Sequence, residues 1–488
     1  MPNDAGSARQ VVVLLVDGIC VDVLRGLLEQ GHLPSMARLF DAIGGGSQVG
    51  AAAQVRTLCS VFPSTTGPAH LPFVTGRYPG PCNLPGIRWL DPARYAGSPL
   101  SLSRFRSYMG PGALLLAHDV HPGVRTIFDV VPDHACAGGN FRRGVQRSRN
   151  LTRWSKLREP VISFFTEQWD RLDREAGRAV AGAVRRGTEL VFGVFYAADS
   201  LGHKHGPFHE TTRTAYRRID AALADLADNV CRQPAERRPF VLLVSDHGQS
   251  ETQRHLDLHG LVERVVGSTL AHPTIWRGLF GAAAAVMVSG NAMAHVYLRG
   301  RRWGERLALD NPSAEAARLI EALLAEDAVD QVIGRGSTGG AIVLSRDGRA
   351  RIEPSPGGIR YQVTAGIDPF LYPASFSGTR STHEWLDLTW ESRYPDAPVQ
   401  VLQILESARV GHLVVTAKPG WDLRARYEKP RHAGSHGSLH RDHMMTPLLA
   451  SGPLRPGPGR TVDVFPTVLQ VMGLDVPPGL DGESLWTG

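Results

Sequence analysis

Three apolar runs along the chain share one pattern. Each is a continuous stretch of β-branched and other apolar residues that ends in acidic or histidine residues and a loop. A strand that is buried on both faces of a sheet gives such a run, because no polar position alternates with the apolar ones. We therefore predict three strands of one parallel sheet. The runs are VVVLLVDG (11–18), ELVFGVFYAADS (189–200) and PFVLLVSDHG (239–248).

Helical patterns occur between and after these runs. Residues 211–233 have the apolar spacing of an amphipathic helix. Residues 461–473, TVDVFPTVLQVMG, are expected to form a helix that stops at Gly473. Strands that alternate with helices favour an α/β fold, and ligands of such sheets collect beyond the carboxyl ends of the strands.

The composition changes between about residues 249 and 390, where Gly and Pro are frequent. Within it we predict a hairpin that turns at Asp347-Gly348 and a helix over 313–327. The core is expected to resume at HLVVTAKPGWDL, 412–423. We therefore predict a catalytic core made of two segments and an inserted cap that sets substrate specificity. The predicted boundaries are 1–250 and 400–488 for the core and 251–399 for the cap.

Composition excludes several classes of protein. The net charge of +6 on 488 residues is modest, and no basic block resembles a nucleic-acid-binding module. The five cysteines include no CxxC pair, which argues against a disulfide framework and a cysteine zinc site. We find neither the layout of a signal peptide nor a membrane span, so we expect a cytoplasmic protein without a membrane partner.

Acidic and histidine residues cluster at the ends of the predicted strands. Each group alone is common surface chemistry: an aspartate after a strand can cap a helix, and a histidine-rich loop can be solvated. Together they supply only carboxylates and imidazoles, a set that suits two zinc-like ions. Such a pair could clamp the attacking and leaving oxygens of a phosphoryl transfer. The candidate ligands are Asp17, Asp199, His203, Asp246, His247 and the glycine-flanked His436.

The segment VFPSTTGPAH, residues 61–70, contains three adjacent hydroxyls between two prolines. A polar turn and a nucleophile are both compatible with it. The residues alone do not distinguish Ser64, Thr65 and Thr66.

The order of these motifs resembles a known family. VDG at Asp17, PSTTGPAHLPFVTGRYP, DSLGHKHGP, SDHG and GSHG followed by Met444 are similar to motifs of the alkaline phosphatase superfamily. The closest branch is that of the nucleotide pyrophosphatase/phosphodiesterases. The resemblance covers about residues 11–248 and 412–485. It implies an α/β fold: an alkaline-phosphatase-like three-layer sandwich with a mostly parallel central sheet, an inserted cap region and two zinc ions.

The resemblance also implies roles for single residues. The family nucleophile is the threonine of a T-x-P-N-H pattern, and Thr66 matches it. His70 matches a family position near the nucleophile, where we expect it to pack or to support the ligand residues rather than to act in catalysis. Ser64 and Thr65 would only shape the loop. One ion would be held by Asp199, His203 and His436, and the other by Asp17, Asp246, His247 and Thr66.

The implied activity is hydrolysis of a phosphodiester or pyrophosphate bond in a small-molecule phosphate ester, such as a nucleotide. A threonine hydroxyl needs activation by a metal or a base. Thr66 would attack phosphorus in line, a phosphothreonine would form, and water would then hydrolyse it.

One stretch departs from the family pattern. Family diesterases carry an asparagine after a G-I pair, whereas this chain has NLPGIRWLD with Arg88 beside that position. An arginine on the phosphate would favour a more highly charged monoester, while Asn83 could replace the missing asparagine. The alternative activity is therefore that of a phosphomonoesterase or a phosphonate hydrolase on the same scaffold. His205 is a further candidate substrate contact. A phosphomutase with a closing cap is a third alternative.

Overall fold

A computed structural model describes residues 10–41, 50–95, 105–139, 141–152, 169–273, 281–429 and 431–488. Its strands form two large sheets and two small ones. In chain order, strands β1 to β20 are Val11–Val16, Arg56–Cys59, Arg88–Leu90, Phe105–Ser107, His134–Ala137, Leu190–Phe195, Phe240–Val244, Ser250–His255, Thr269–Ala271, Ala284–Ser289, Met293–Leu298, Val329–Arg335, Ala341–Leu344, Gly348–Ser355, Gly358–Gly366, Gly378–Arg380, Leu413–Ala417, Gly420–Asp422, Gly434–Ser435 and Met445–Ala450.

The helices of the described residues are mostly short. In chain order, α1 to α17 are Val21–Glu29, Pro34–Asp41, Ala51–Gln54, Leu71–Thr75, Pro92–Tyr95, Leu116–Asp119, Ile127–Val130, Trp169–Arg185, Ala197–His205, Glu210–Ala222, Ala224–Arg232, Leu258–Val266, Ala314–Ala325, Thr382–Thr389, Ala397–Leu405, Arg441–Met444 and Val464–Val471. Short 3₁₀ helices cover Pro68–His70, Gly110–Leu115, Arg147–Arg149, Ala235–Arg237, Ala374–Phe376 and Thr461–Asp463. Within the part of the chain described, no helix combines the length and apolar character needed to cross a membrane.

The central sheet has six strands in the order β2-β20-β7-β1-β6-β5. Strands β7, β1, β6 and β5 are parallel, and β20 runs antiparallel between β7 and β2. The three strands predicted from the apolar runs are β1, β6 and β7, and they are neighbours in this sheet. This prediction is therefore confirmed.

Helices cover both faces of the central sheet. Alternate residues of β1 face opposite sides: Val12 and Leu14 enter a core with α1, α2, α8 and α10, whereas Val13 and Leu15 enter a core with α4 and α17. The β1 side chains are therefore buried on both faces, which explains the unbroken apolar run. The result is the predicted three-layer α/β sandwich.

The second sheet has nine strands in the order β16-β15-β14-β13-β12-β17-β11-β10-β9. Residues of α14 and α15 pack in the core on one face, and residues of α12 and α13 pack in the core on the other. The hairpin predicted at Asp347-Gly348 joins β13 to β14 and is confirmed. The sheet also includes β17, from beyond residue 400, a strand that the sequence analysis expected in the resumed core. The domain boundaries themselves stay a prediction.

The remaining sheets are small. Strands β18, β8 and β19 form a three-stranded sheet, and β3 pairs with β4. The helix predicted over 211–233 is two helices, α10 and α11, which meet at Leu223. The helix that was expected to stop at Gly473 ends at Val471, and Gly473 has a φ of 71°.

Candidate active site

The three adjacent hydroxyls have different surroundings. Ser64 and Thr65 are fully buried, and Ser64 Oγ donates to the carbonyl of Ser438 at 2.8 Å. Thr66 is half-buried, and its Oγ1 lies 3.1 Å from Asp17 Oδ1 and 3.2 Å from His247 Nε2. Of the three hydroxyls, that of Thr66 faces the predicted metal ligands.

The loop that carries Thr66 is held by helix α15. Gln400 Oε1 accepts a hydrogen bond from the backbone N–H of Phe62 at 2.9 Å, and Gln403 Oε1 accepts one from Gly80 at 3.0 Å. Both glutamines are buried. The loop follows β2 of the central sheet, and α15 packs on the second sheet. The position of the loop therefore depends on both large sheets.

The first cluster of predicted ligands contains Asp199, His203 and His436. Asp199 and His203 lie one turn apart on α9, which begins where β6 ends, and His436 follows β19. His203 Nε2 and His436 Nε2 are 2.9 Å apart, and each lies 3.6 Å from Asp199 Oδ1. One ligand atom from each residue is within 4.8 Å of the others.

The second cluster contains Asp17, Asp246 and His247, which follow β1 and β7. His247 Nε2 lies 3.4 Å from Asp17 Oδ1 and 3.3 Å from Asp246 Oδ2. His70 also reaches this cluster, with its Nε2 3.2 Å from Asp246 Oδ2 and 3.6 Å from Asp17 Oδ2. The structure thus places His70 in direct contact with both carboxylates.

The two clusters are adjacent. The rings of His247 and His436 stack with centroids 3.7 Å apart and an interplanar angle of 14°. Gly18 also lets Asp199 of the first cluster lie close to Asp17 of the second. Its φ is +68°, and a Cβ there would lie 2.7 Å from Asp199 Cβ. A side chain at residue 18 would push Asp199 away from Asp17.

The protonation of the histidines makes the clusters suitable for cations. The Nδ1 atoms of His203 and His436 each lie 2.8 Å from a backbone carbonyl, and that of His247 lies 3.1 Å from one. A carbonyl only accepts hydrogen bonds, so the Nδ1 atoms of His203 and His436 carry protons, and in the neutral imidazole their Nε2 atoms present lone pairs. Lone pairs of His203 and His436 that face each other at 2.9 Å repel unless a cation lies between them. The residues therefore fit divalent metal ions of the zinc class.

The carboxylates have perturbed acidity. Burial, followed by the charge of Asp246, raises the pKa of Asp17 to about 6. Burial raises the pKa of Asp199 to about 6. Burial acts in the same direction on Asp246, but the charges of His247 and His70 outweigh it and lower the pKa of Asp246 to about 2. Carboxylates buried this close together need positive charge nearby, which is a further reason to expect cations.

Sequence reasoning did not identify Gln249 as part of the site. Its Nε2 donates to Asp199 Oδ1, and also to the Asp199 carbonyl at 3.2 Å. Gln249 is buried, and its Oε1 lies where a Cβ on Gly202 would be. The amide therefore fixes the orientation of a predicted ligand through a contact that only a glycine at 202 allows.

We expect Gln249→Ala to weaken zinc binding by about 10- to 100-fold, as is usual when a partner of a metal ligand is removed. Equilibrium titration with a competing chelator would measure the affinity. Gln253→Ala is the matched control, because Gln253 is exposed on β8, the strand that begins directly after Gln249. Equal affinities for the two variants would contradict the role given to Gln249.

The three predicted substrate contacts each have partners within the protein. Arg88 is buried and its Nη1 donates to the carbonyl of Val288 at 2.9 Å. Asn83 Oδ1 accepts a hydrogen bond from Ser407 Oγ at 2.9 Å. His205, at the end of α9, stacks on His209. Substrate contact by these residues stays a prediction.

Two histidines near His436 have structural contacts. His443 is buried, and its ring nitrogens lie 2.9 Å from Ser250 Oγ and 2.8 Å from Ser438 Oγ. His440 Nδ1 accepts a hydrogen bond from the backbone N–H of Asp442 at the start of α16. His436 is the member of this group that reaches the first cluster.

Residues 11–439 match the model of the family named Type I phosphodiesterase / nucleotide pyrophosphatase. The chain belongs to this family. The resemblance drawn from the motifs is thereby confirmed.

Among curated proteins, the chain is similar to human ectonucleotide pyrophosphatase/phosphodiesterase family member 7. The two are 21% identical over 222 residues, which are 41% of this chain and 42% of that protein. The chain thus aligns with less than half the length of this relative.

Two solved structures resemble the whole chain. Phosphonoacetate hydrolase from Sinorhizobium meliloti 1021, in complex with phosphonoacetate, has a TM-score of 0.57, and murine ectonucleotide pyrophosphatase/phosphodiesterase 5 has a TM-score of 0.55. Each is 14% identical, and each comparison covers 96% of both chains. At this identity the likeness is one of fold, and the chain has the alkaline-phosphatase-like fold.

Proposed function

We propose that this protein is a metal-dependent hydrolase of phosphodiester or pyrophosphate bonds in small phosphate esters, with Thr66 as the nucleophile. The observation that carries the proposal is the position of Thr66 Oγ1, 3.1 Å from Asp17 Oδ1 and 3.2 Å from His247 Nε2. A half-buried hydroxyl beside two clusters of metal-ligand type is the arrangement that an activated nucleophile requires. Membership of the phosphodiesterase family supports the same reaction.

Two divalent cations, proposed to be zinc, would be held by the two clusters. Asp199, His203 and His436 would hold one, and Asp17, Asp246, His247 and Thr66 would hold the other. When bound, they would supply positive charge for the phosphoryl oxygens and lower the pKa of the threonine hydroxyl.

The residues of the chain have separate roles in the reaction. Asp17 accepts the hydrogen bond of the Thr66 hydroxyl and so holds Oγ1 towards the clusters. In the first step the Thr66 hydroxyl loses its proton to solvent, an Oγ1–P bond forms, and the bond from phosphorus to the leaving oxygen breaks, with the leaving oxygen taking up a proton from solvent. In the second step water attacks the phosphoester of Thr66, and Oγ1 leaves with a proton as the hydroxyl. His70 would keep Asp17 and Asp246 in place through its contacts with both carboxylates.

The monoesterase alternative depends on an arginine at the phosphate. Arg88 Nη1 instead donates to the carbonyl of Val288, so no observation favours a more highly charged substrate over a diester. The proposal therefore keeps the diester.

A substrate comparison tests the proposal. The zinc-loaded protein would be assayed with four nitrophenyl substrates: a phosphodiester, a phosphomonoester, a sulfate ester and a phosphonate ester. We expect the highest kcat/KM for the phosphodiester. A higher value for the monoester would contradict the diesterase assignment and leave the metal clusters unaffected.

A further inference from the structure

A second group of potential metal ligands lies outside the candidate active site. It contains His255, Asp422 and Glu428, and one ligand atom of each lies within 4.8 Å of the others. His255 ends β8 and Asp422 ends β18, and the two residues are paired in the parallel register of these strands. Glu428 comes from the following loop. We refer to these three residues as the β8–β18 cluster.

The β8–β18 cluster brings two carboxyl groups together in the protein interior. Asp422 is fully buried and Glu428 is 4% exposed. Two carboxylates that share a buried site repel each other, so the arrangement needs a cation or a proton. The imidazole of His255, with Nδ1 2.9 Å from Glu428 Oε2, completes a nitrogen and oxygen donor set of the kind that zinc prefers.

One oxygen of the cluster has no hydrogen-bond partner. Asp422 Oδ1 accepts from the backbone N–H of Arg424 at 2.6 Å, but no described residue donates to Asp422 Oδ2, which is fully buried. Most buried polar atoms have a partner, so an exception needs an explanation, and a bound ion or water is one. A cation bound by Asp422 Oδ2, Glu428 and His255 would give this oxygen a partner.

Two arginines near the cluster, buried Arg88 and half-buried Arg424, do not fill this role. The charges of Arg88 and Arg424 act on both carboxylates. However, Arg88 Nη1 donates to Val288, and Arg88 Nε has no partner among the described residues. The guanidinium groups therefore offset charge at a distance and leave Asp422 Oδ2 without a donor.

The cluster is linked to the first metal-ligand cluster of the active site. Asn291 Nδ2 donates to Glu428 Oε1 at 2.6 Å and to His432 Nδ1 at 2.7 Å. The ring of His432 lies 4.6 Å from that of His203, centroid to centroid. The backbone of Asn291 forms a bridge with His436. Both histidines of the first cluster therefore contact residues that the β8–β18 cluster holds in place.

We propose that His255, Asp422 and Glu428 bind a further divalent cation of the zinc class, separate from the cations of the active site. This cation fastens β8 and β18 to the loop after residue 422 and so supports the segment that carries His436. It takes no part in the reaction at Thr66.

Zinc content tests this site. The full chain would be stripped with a chelator, reloaded with Zn²⁺, freed of excess by gel filtration and measured by plasma mass spectrometry. We expect Glu428→Gln to hold one Zn²⁺ per chain fewer than the unaltered protein. Glu251→Gln, an exposed carboxylate on β8, should hold the full number. Equal zinc content in the two variants would overturn the proposal.

A measurement on the unaltered protein covers the case in which Glu428→Gln does not fold. Crystals of the zinc-loaded chain would be measured at the zinc absorption edge. We expect an anomalous peak at coordination distance, about 2.0–2.2 Å, from the donor atoms of His255, Asp422 and Glu428. A map with peaks only at the active site would overturn the proposal. This outcome is independent of whether Thr66 is the nucleophile.

Discussion

Thr66→Ala is expected to lower kcat/KM for the nitrophenyl phosphodiester by more than about 10⁴-fold, since loss of a catalytic nucleophile has effects of at least this size. The reason is chemical: the variant lacks the oxygen that forms the bond to phosphorus, while Asp17, Asp246 and His247 remain in place. Thr66→Ser should keep measurable turnover, because it keeps a hydroxyl at the same position. Initial rates at matched zinc content would measure both effects.

The adjacent residue provides a matched control. Thr65 is fully buried and its Oγ1 has no hydrogen-bond partner among the described residues, so Thr65→Val removes a hydroxyl while it preserves shape. We expect Thr65→Val to keep kcat/KM within about threefold, because no hydrogen bond is lost. If Thr66→Ala were as active as Thr65→Val, the assignment of the nucleophile would be wrong.

Removal of the divalent cations is expected to lower kcat by at least about a thousandfold. Charge stabilisation by metal ions contributes several kcal/mol to such transition states, and about 4 kcal/mol corresponds to this factor. Without cations, the facing lone pairs of His203 and His436 repel each other, and the phosphoryl oxygens lose the positive charge that the clusters are expected to hold. Activity after dialysis against a chelator, with residual metal measured on the same sample, would give the effect.

Restoration by different cations provides the control for this experiment. Zn²⁺ should restore the rate, because both clusters contain imidazole nitrogens. Ca²⁺ should not, because it prefers all-oxygen sites. Unchanged turnover in a sample shown to be free of metal would contradict the role of the two clusters.

Much of the site could be predicted because strand ends in a parallel sheet meet at one edge. The apolar runs before Asp17 and Asp246 predicted strands of one parallel sheet, and so predicted that the two side chains lie at the same edge. In the structure these strands, β1 and β7, are neighbours. Thr66 is different: Ser64, Thr65 and Thr66 are indistinguishable by type, and the family register was needed to choose among them. The structure supplies an independent physical distinction, since Thr66 is the hydroxyl that is not fully buried.

Other features depend on contacts that leave no local pattern. Gln249 reaches Asp199 across 50 residues of sequence, and only the glycine at 202 makes room for it. The strand Leu413–Ala417 has the same apolar character as β1, but its partners β11 and β12 place it in the second sheet. The two helices that meet at Leu223 continue one amphipathic pattern, so periodicity did not reveal the break. The β8–β18 cluster likewise exists only through strand pairing.

The central claim is that the reaction proceeds through a covalent bond between phosphorus and Thr66. The stereochemistry at phosphorus tests it most directly, with a diester made chiral by sulfur and oxygen-isotope substitution. Each in-line displacement inverts the configuration, so attack by Thr66 followed by attack by water predicts overall retention. Overall inversion would mean that water attacks the substrate directly, and it would contradict the account.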